Sequence, residues 1–77
     1  MFTKFVAKEQ YNEYASCDTL SDALLDITSG NGEVDVIEVG KNYHAIKYTY
    51  IVRNGVVVGR KFDHPIFRGR YQTYYFG

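Results

Sequence analysis

Tryptophan is absent, cysteine and proline occur once each, and no run of apolar residues approaches eighteen anywhere in the 77 positions. Each shortage closes a route. A lone cysteine, Cys17, can neither form an internal disulfide nor complete a cysteine-based zinc site, so the sequence is compatible with a reducing compartment. Short apolar runs exclude a membrane-spanning helix. The opening residues MFTKFVAKEQYNEYASC lack the apolar stretch of a secretory signal. Phosphate loops of the GxxxxGK[S/T] and GxGxxG types are missing as well. These absences predict a cytoplasmic chain with no membrane partner and no cofactor.

What is present is the composition of a folded protein: 45% hydrophobic, 17% aromatic and 23% charged, with eight tyrosines and five phenylalanines. A disordered chain is poorer in such residues. Residues 1–77 are expected to form a single compact α+β domain, since a second would have no core of its own. A core this small depends on large side chains, and a homodimer would add to the burial.

The net charge of zero conceals a division. Residues 1–38 hold Lys4 and Lys8 against eight acids, which leaves −6, whereas residues 39–77 hold seven bases against Asp63 alone, which leaves +6. Such asymmetry points to charged partners unless the two halves neutralise each other in the fold.

The segment Phe2–Tyr14 reads as a strand broken near Gln10. Thr19–Ser29 carries the helix signal: Thr19 as cap with Asp22 three residues on, then Leu20, Ala23, Leu24 and Ile27 on one face. Asp18, Asp22 and Asp26 fall on the opposite face, and Ser29-Gly30-Asn31-Gly32 ends the helix. Glu33–Val39 alternates and then shifts phase at Ile37, which predicts a bulge. Gly40-Lys41-Asn42 is a turn. Tyr43–Arg53 and Val56–Phe62 flank Asn54-Gly55, the signature of a type I′ hairpin. That loop predicts Val52 opposite Val57, Ile51 opposite Val58 and Tyr50 opposite Gly59. Ile46, Tyr48, Tyr50, Val52 and Val57 should then meet the helix. Ala45, Ile51, Val56, Val58 and Phe62, with Lys47, Thr49, Arg53 and Arg60, should face away as a mixed apolar and basic surface. Pro65 interrupts the pattern, and Tyr71–Phe76 can add a short last strand. The expected architecture is an antiparallel sheet of four to five strands with one helix packed on one face, in β-α-β-β-β order.

No constellation for catalysis emerges. His44 and His64 have no partner at ligand spacing, so no metal site is expected. Asp63 and His64, as strand neighbours, point to opposite faces and cannot work as a pair. Cys17 near a helix start is a small buried residue more often than a nucleophile. The sequence therefore predicts a protein that is not an enzyme.

Two functions compete. The first is a non-catalytic protein-binding module. Tyrosine and arginine dominate binding hot spots, since they combine large contact area with fork-shaped hydrogen bonding. Arg68, Arg70, Tyr71, Tyr74 and Tyr75 concentrate both types in the tail, with Arg53 and Arg60 in the hairpin. The alternative role for the tail aromatics is a core strand. The acidic row Asp18, Asp22 and Asp26, about 6 Å apart along a helix, could imitate phosphates against the basic groove of a larger nucleic-acid-handling enzyme. In general character, though in no shared motif, the chain resembles phage-encoded inhibitors of the anti-CRISPR and anti-restriction class, which act in the host cytoplasm. The second function is a small single-stranded nucleic-acid-binding protein using the basic, aromatic C-terminal half. Arg68-Gly69-Arg70-Tyr71 resembles the start of an RNP1 octamer, but the residues that follow depart from it.

Overall fold

A computed structural model describes residues 1–63 and 71–77. Its elements are β1 (Phe2–Lys8), α1 (Leu20–Asp26), β2 (Gly32–Val39), β3 (His44–Arg53), β4 (Val56–Asp63) and β5 (Tyr71–Tyr75). The strands form one antiparallel sheet in the order β1-β2-β3-β4-β5, with α1 on one face. The expected α+β architecture is realised with the fifth strand included, so four strands rather than three follow the helix.

Local chemistry explains most of the boundaries. Thr19 caps α1 by accepting the Asp22 N–H at 3.1 Å. The helix stops at Asp26, three residues before the expected Ser29, where β-branched Ile27 and Thr28 precede the glycine turn. Gly30 takes φ 83° in that turn, and its carbonyl accepts the Gly55 N–H at 2.9 Å. The helix exit is thereby fastened to the hairpin tip. At that tip Asn54 and Gly55 have φ values of 53° and 76°, the two positive angles a type I′ turn requires.

The core lies between α1 and the first three strands: Ala7, Ala23, Ile27, Val34 and Val52 are buried, ringed by Phe5, Tyr14, Leu20, Leu24, Tyr50 and Val57. At about 1.5–3 kcal/mol for each large apolar side chain removed from water, this cluster is the main source of stability.

Register departs from the sequence-based expectation in two places. After Val52↔Val57 the pairing slips, so that Ile51 meets Gly59 and Tyr50 meets Arg60, with Val58 as the extra residue. Arg60 therefore lies on the helix face of the sheet, not the opposite one, and so does Phe62, whose ring stacks on the Tyr74 of the Arg60↔Tyr74 pair. The cause is steric: a Cβ at Gly59 would lie 2.4 Å from the Tyr74 carbonyl oxygen, so the glycine must sit where β5 approaches closest. The second slip is at the expected phase shift of β2, but the extra residue, Lys47, belongs to β3. Lys47 swings out to Glu38 at 2.7 Å. Ile46 consequently pairs with Ile37 and is 60% exposed, away from the helix it was expected to meet. The N-terminal strand also ends sooner than expected, at Lys8. From there the chain doubles back to bridge Lys8 with Glu13 and Phe5 with Cys17.

Candidate partner-binding surface

Helix α1 is only seven residues long and packs on β1 and β2. Among the described residues no helix covers the same face of β3, β4 and β5, and that face carries aromatic rings and a cation. Tyr48 and Tyr50 meet edge to face, centroids 5.3 Å apart, with their hydroxyls 3.5 Å from each other. The Arg60 guanidinium lies 5.5 Å from the Tyr48 ring centre, within cation–π range. Beyond it Phe62 stacks on Tyr74 at 5.5 Å. Tyr50 is the ring that links this strip to the core. The Tyr50 phenol is pushed up first by the hydrogen bond with Tyr48 and then by burial.

The opposite face of the sheet is chemically different. Its charges come in pairs. Lys8 reaches Asp35 at 2.9 Å, and Thr49 donates to the same carboxylate at 2.8 Å. Asp35 is 3% exposed, and both its oxygens are satisfied. The Asp35 hydrogen bond raises the pKa of Lys8 against the opposing effect of desolvation. Lys61 pairs with Glu33 at 2.7 Å on this face. At the far end of β2, Glu38 alternates with Val34 and Val36 onto the helix side, where it holds Lys47 and accepts the Tyr43 hydroxyl at 2.8 Å. Lys47 and Tyr43 together hold Glu38 below the usual carboxylate range. Lys47–Glu38 and Lys61–Glu33 join the basic half of the chain to the acidic half, so part of the charge division is internal neutralisation. A small hollow of about 130 Å³ lies among Lys8, Asp35, Thr49 and Lys61, lined by these paired groups.

The expected site residues separate in space. Arg60 and Tyr74 fall together in the open strip, being cross-strand partners. Tyr75 lies one residue on, with its ring over Gly59. Tyr71 opens β5. Tyr74 and Tyr75 thus stand in a strand yet remain outside the core, at 48% and 70% exposure. Arg53 sits at the hairpin end, where its guanidinium donates to the Val52 carbonyl at 2.7 Å. Arg68, Arg70, Pro65 and His64 lie outside the described residues.

The acidic row does not form a continuous stripe. Asp18 precedes the helix and is ion-paired with Lys4. Asp26 is half-buried and accepts the Cys17 thiol at 3.6 Å. Only Asp22 stands open in the first turn, with its backbone N–H taken up by Thr19. Cys17 is pushed up by burial first and by Asp26 second, which keeps it a thiol rather than a thiolate. Among the described residues no group of three histidine, cysteine, aspartate or glutamate side chains could hold a metal ion. No helix among them is long and apolar enough to cross a membrane.

Sequence reasoning missed Tyr48, Tyr50 and Phe62 as members of this surface. Alternation placed the tyrosines correctly on the helix face, but nothing in the sequence says that the helix stops short of them. No family model, curated protein or solved structure matches the chain.

Proposed function

We propose that the chain is a non-catalytic protein-binding module that docks a larger protein through the uncovered half of its sheet. The observation that carries this reading is the strip of Tyr48, Arg60, Phe62 and Tyr74, an aromatic and cationic surface that α1 leaves open. Rings held against neighbouring rings lose little side-chain entropy on binding, and Arg60 makes no ion pair among the described residues. Tyrosine and arginine in that state are the material of interface hot spots. The small size and the absence of a candidate catalytic constellation support a finer reading, a phage-type inhibitor or modulator of a nucleic-acid-handling host enzyme. That partner would be engaged through the strip more than through the aspartates, two of which are tied to Lys4 and Cys17.

The test is affinity capture from host lysate, followed by titration of the purified partner against wild type and Arg60→Ala. The substitution is expected to weaken partner binding by about 1–3 kcal/mol and to change stability by less than about 0.5 kcal/mol, as an exposed surface change. Equal affinity of Arg60→Ala and wild type for the captured partner would exclude the strip as the contact.

One observation favours a second reading. Stacked Phe62 and Tyr74 beside Arg60 also resemble the combination that holds single-stranded nucleic acid. Oligonucleotide binding that falls steeply with salt and is lost in Arg60→Ala would replace the first reading with this one.

A further inference from the structure

The two edges of the sheet are finished differently. β1 is sealed by the segment that follows it: Phe5 and Cys17 exchange both backbone hydrogen bonds at 2.9 and 2.7 Å, and the Tyr14 N–H reaches the Ala7 carbonyl at 2.9 Å. On the other side β5 ends the sheet, with no neighbour beyond it among the described residues. The Phe76 N–H donates inward to the Val58 carbonyl at 2.8 Å. Backbone groups alternate along an antiparallel pair. Gln72 and Tyr74 therefore bond to β4, while the N–H and C=O of Tyr71, Thr73 and Tyr75 point outward. Native sheets blunt such an edge with lysine, proline or a bulge. The sequence of β5, YQTYY, has no charge and no proline, and its pairing with β4 is regular throughout.

We infer that β5 pairs with β5 of a second copy of this chain, antiparallel about a two-fold axis, so that two five-stranded sheets become one. The outward-facing set is self-complementary. Thr73 is its centre, and the two-fold register sets Thr73 against Thr73 and Tyr71 against Tyr75, giving on the order of six backbone hydrogen bonds. The strand is neutral, so the symmetric register brings no like charges together. Apolar area is also waiting at this edge: Tyr74, Tyr75 and Phe76 are 48%, 70% and 52% exposed. At about 150–250 Å² for an aromatic side chain they offer roughly 350 Å² per copy. A standard interface buries about 800 Å² per partner. The dimer is therefore reversible and concentration-dependent rather than obligate. This inference stands apart from the docking proposal, because its hydrogen bonds come from the backbone edge and Tyr74 is the one side chain the two surfaces share.

The experiment is sedimentation equilibrium of the full chain from low micromolar to millimolar concentration, with amide hydrogen exchange on the same samples. Wild type is expected to dimerise over that range, with the Tyr71, Thr73 and Tyr75 amides slowing as concentration rises while those of Gln72 and Tyr74 do not change. Thr73→Pro deletes an outward N–H and spares the bonds to β4, a placement edge strands tolerate. Thr73→Lys sets two ammonium groups face to face across the axis. Each is expected to weaken self-association at least tenfold with an unchanged circular dichroism spectrum, whereas Arg60→Ala leaves it intact. Should Thr73→Pro fail to fold, Thr73→Lys and the exchange data decide. A chain that stays monomeric at millimolar concentration overturns the inference. So does a dimer indifferent to Thr73→Lys, or an edge whose outward amides slow only when a foreign protein is added.

Discussion

Two halves of one sheet carry opposite finishes. Over β1 and β2 the helix lies on small aliphatic residues, Ala7 and Val34, and the outer edge is closed by the returning chain. Over β3 to β5 no helix lies among the described residues, the side chains beyond Val52 and Val57 are rings and an arginine, and no described residue pairs with the outer edge of β5. Residues that a buried face would hold as a core are here held in place by one another. Stability and contact surface are thus allotted to different strands, which lets a chain of this size present a large aromatic area without losing its core. The arrangement also separates the consequences of mutation: changes in the closed half should act on folding, and changes in the open half on association.

The largest contrast is expected between Ile27→Ala and Tyr74→Ala. Ile27 is buried at the end of α1, and its truncation should lower stability by about 2–5 kcal/mol in urea unfolding. Tyr74 is half-exposed and stacked on one ring, so its loss should cost about 1 kcal/mol, close to the value of an aromatic pair. Similar costs for the two would show that the open strip belongs to the core.

Gly59→Ala tests the close approach of β4 and β5 within the open half. The new methyl group would lie 2.4 Å from the Tyr74 carbonyl oxygen and 3.2 Å from the Tyr75 ring. Overpacking of this kind costs about 1–3 kcal/mol. Amide exchange should speed up at Gln72 and Tyr74 while Val34 and Val52 keep their protection.

A smaller effect is expected from pH. Lys8 has its pKa raised in the folded chain, first by the hydrogen bond to Asp35. A raised lysine contributes stability that is complete below its unfolded value of about 10.4 and is lost as pH rises through the higher folded one. Thermal melts across that alkaline range should show the decline in wild type and a flatter profile in Lys8→Met. Identical profiles would deny the pair any net role in folding.

The smallest effect on partner binding should come from replacing Asp18, Asp22 and Asp26 together with asparagine. Asp18 is paired with Lys4 and Asp26 faces Cys17, so binding through the strip should hardly change. Loss of both affinity and salt dependence would bring back the phosphate-mimic role for the acidic residues. Tighter binding to oligonucleotides would instead support the nucleic-acid reading, because repelling charge has been removed.

How much of this could be read from sequence differs between the halves. The cap at Thr19, the turn at Asn54-Gly55 and the alternation of Val34 with Val36 are short-range signals, each set by a hydrogen bond or a backbone angle within a few residues. All three hold in the structure. The hairpin register was sound for the two pairs next to the turn and failed at the third. Gly59 answers to Tyr74 and Tyr75, which lie far along the chain and cannot be seen from the hairpin alone. Ile46 was misplaced for a similar reason, since the bulge at Lys47 depends on the distant Glu38. The acidic row was visible as a helical spacing, but its ties to Lys4 and Cys17 come from the chain folding back on β1.

What the sequence determined by itself was therefore the set of elements and their type: one short helix between a strand and a hairpin-rich antiparallel run, stated by caps, turns and period-two alternation. The tertiary structure decided which of those surfaces stay uncovered. That choice depends on where a seven-residue helix comes to rest on a five-stranded sheet and on which edge the returning chain seals. Both are outcomes of packing between residues distant in sequence, and no local spacing encodes them.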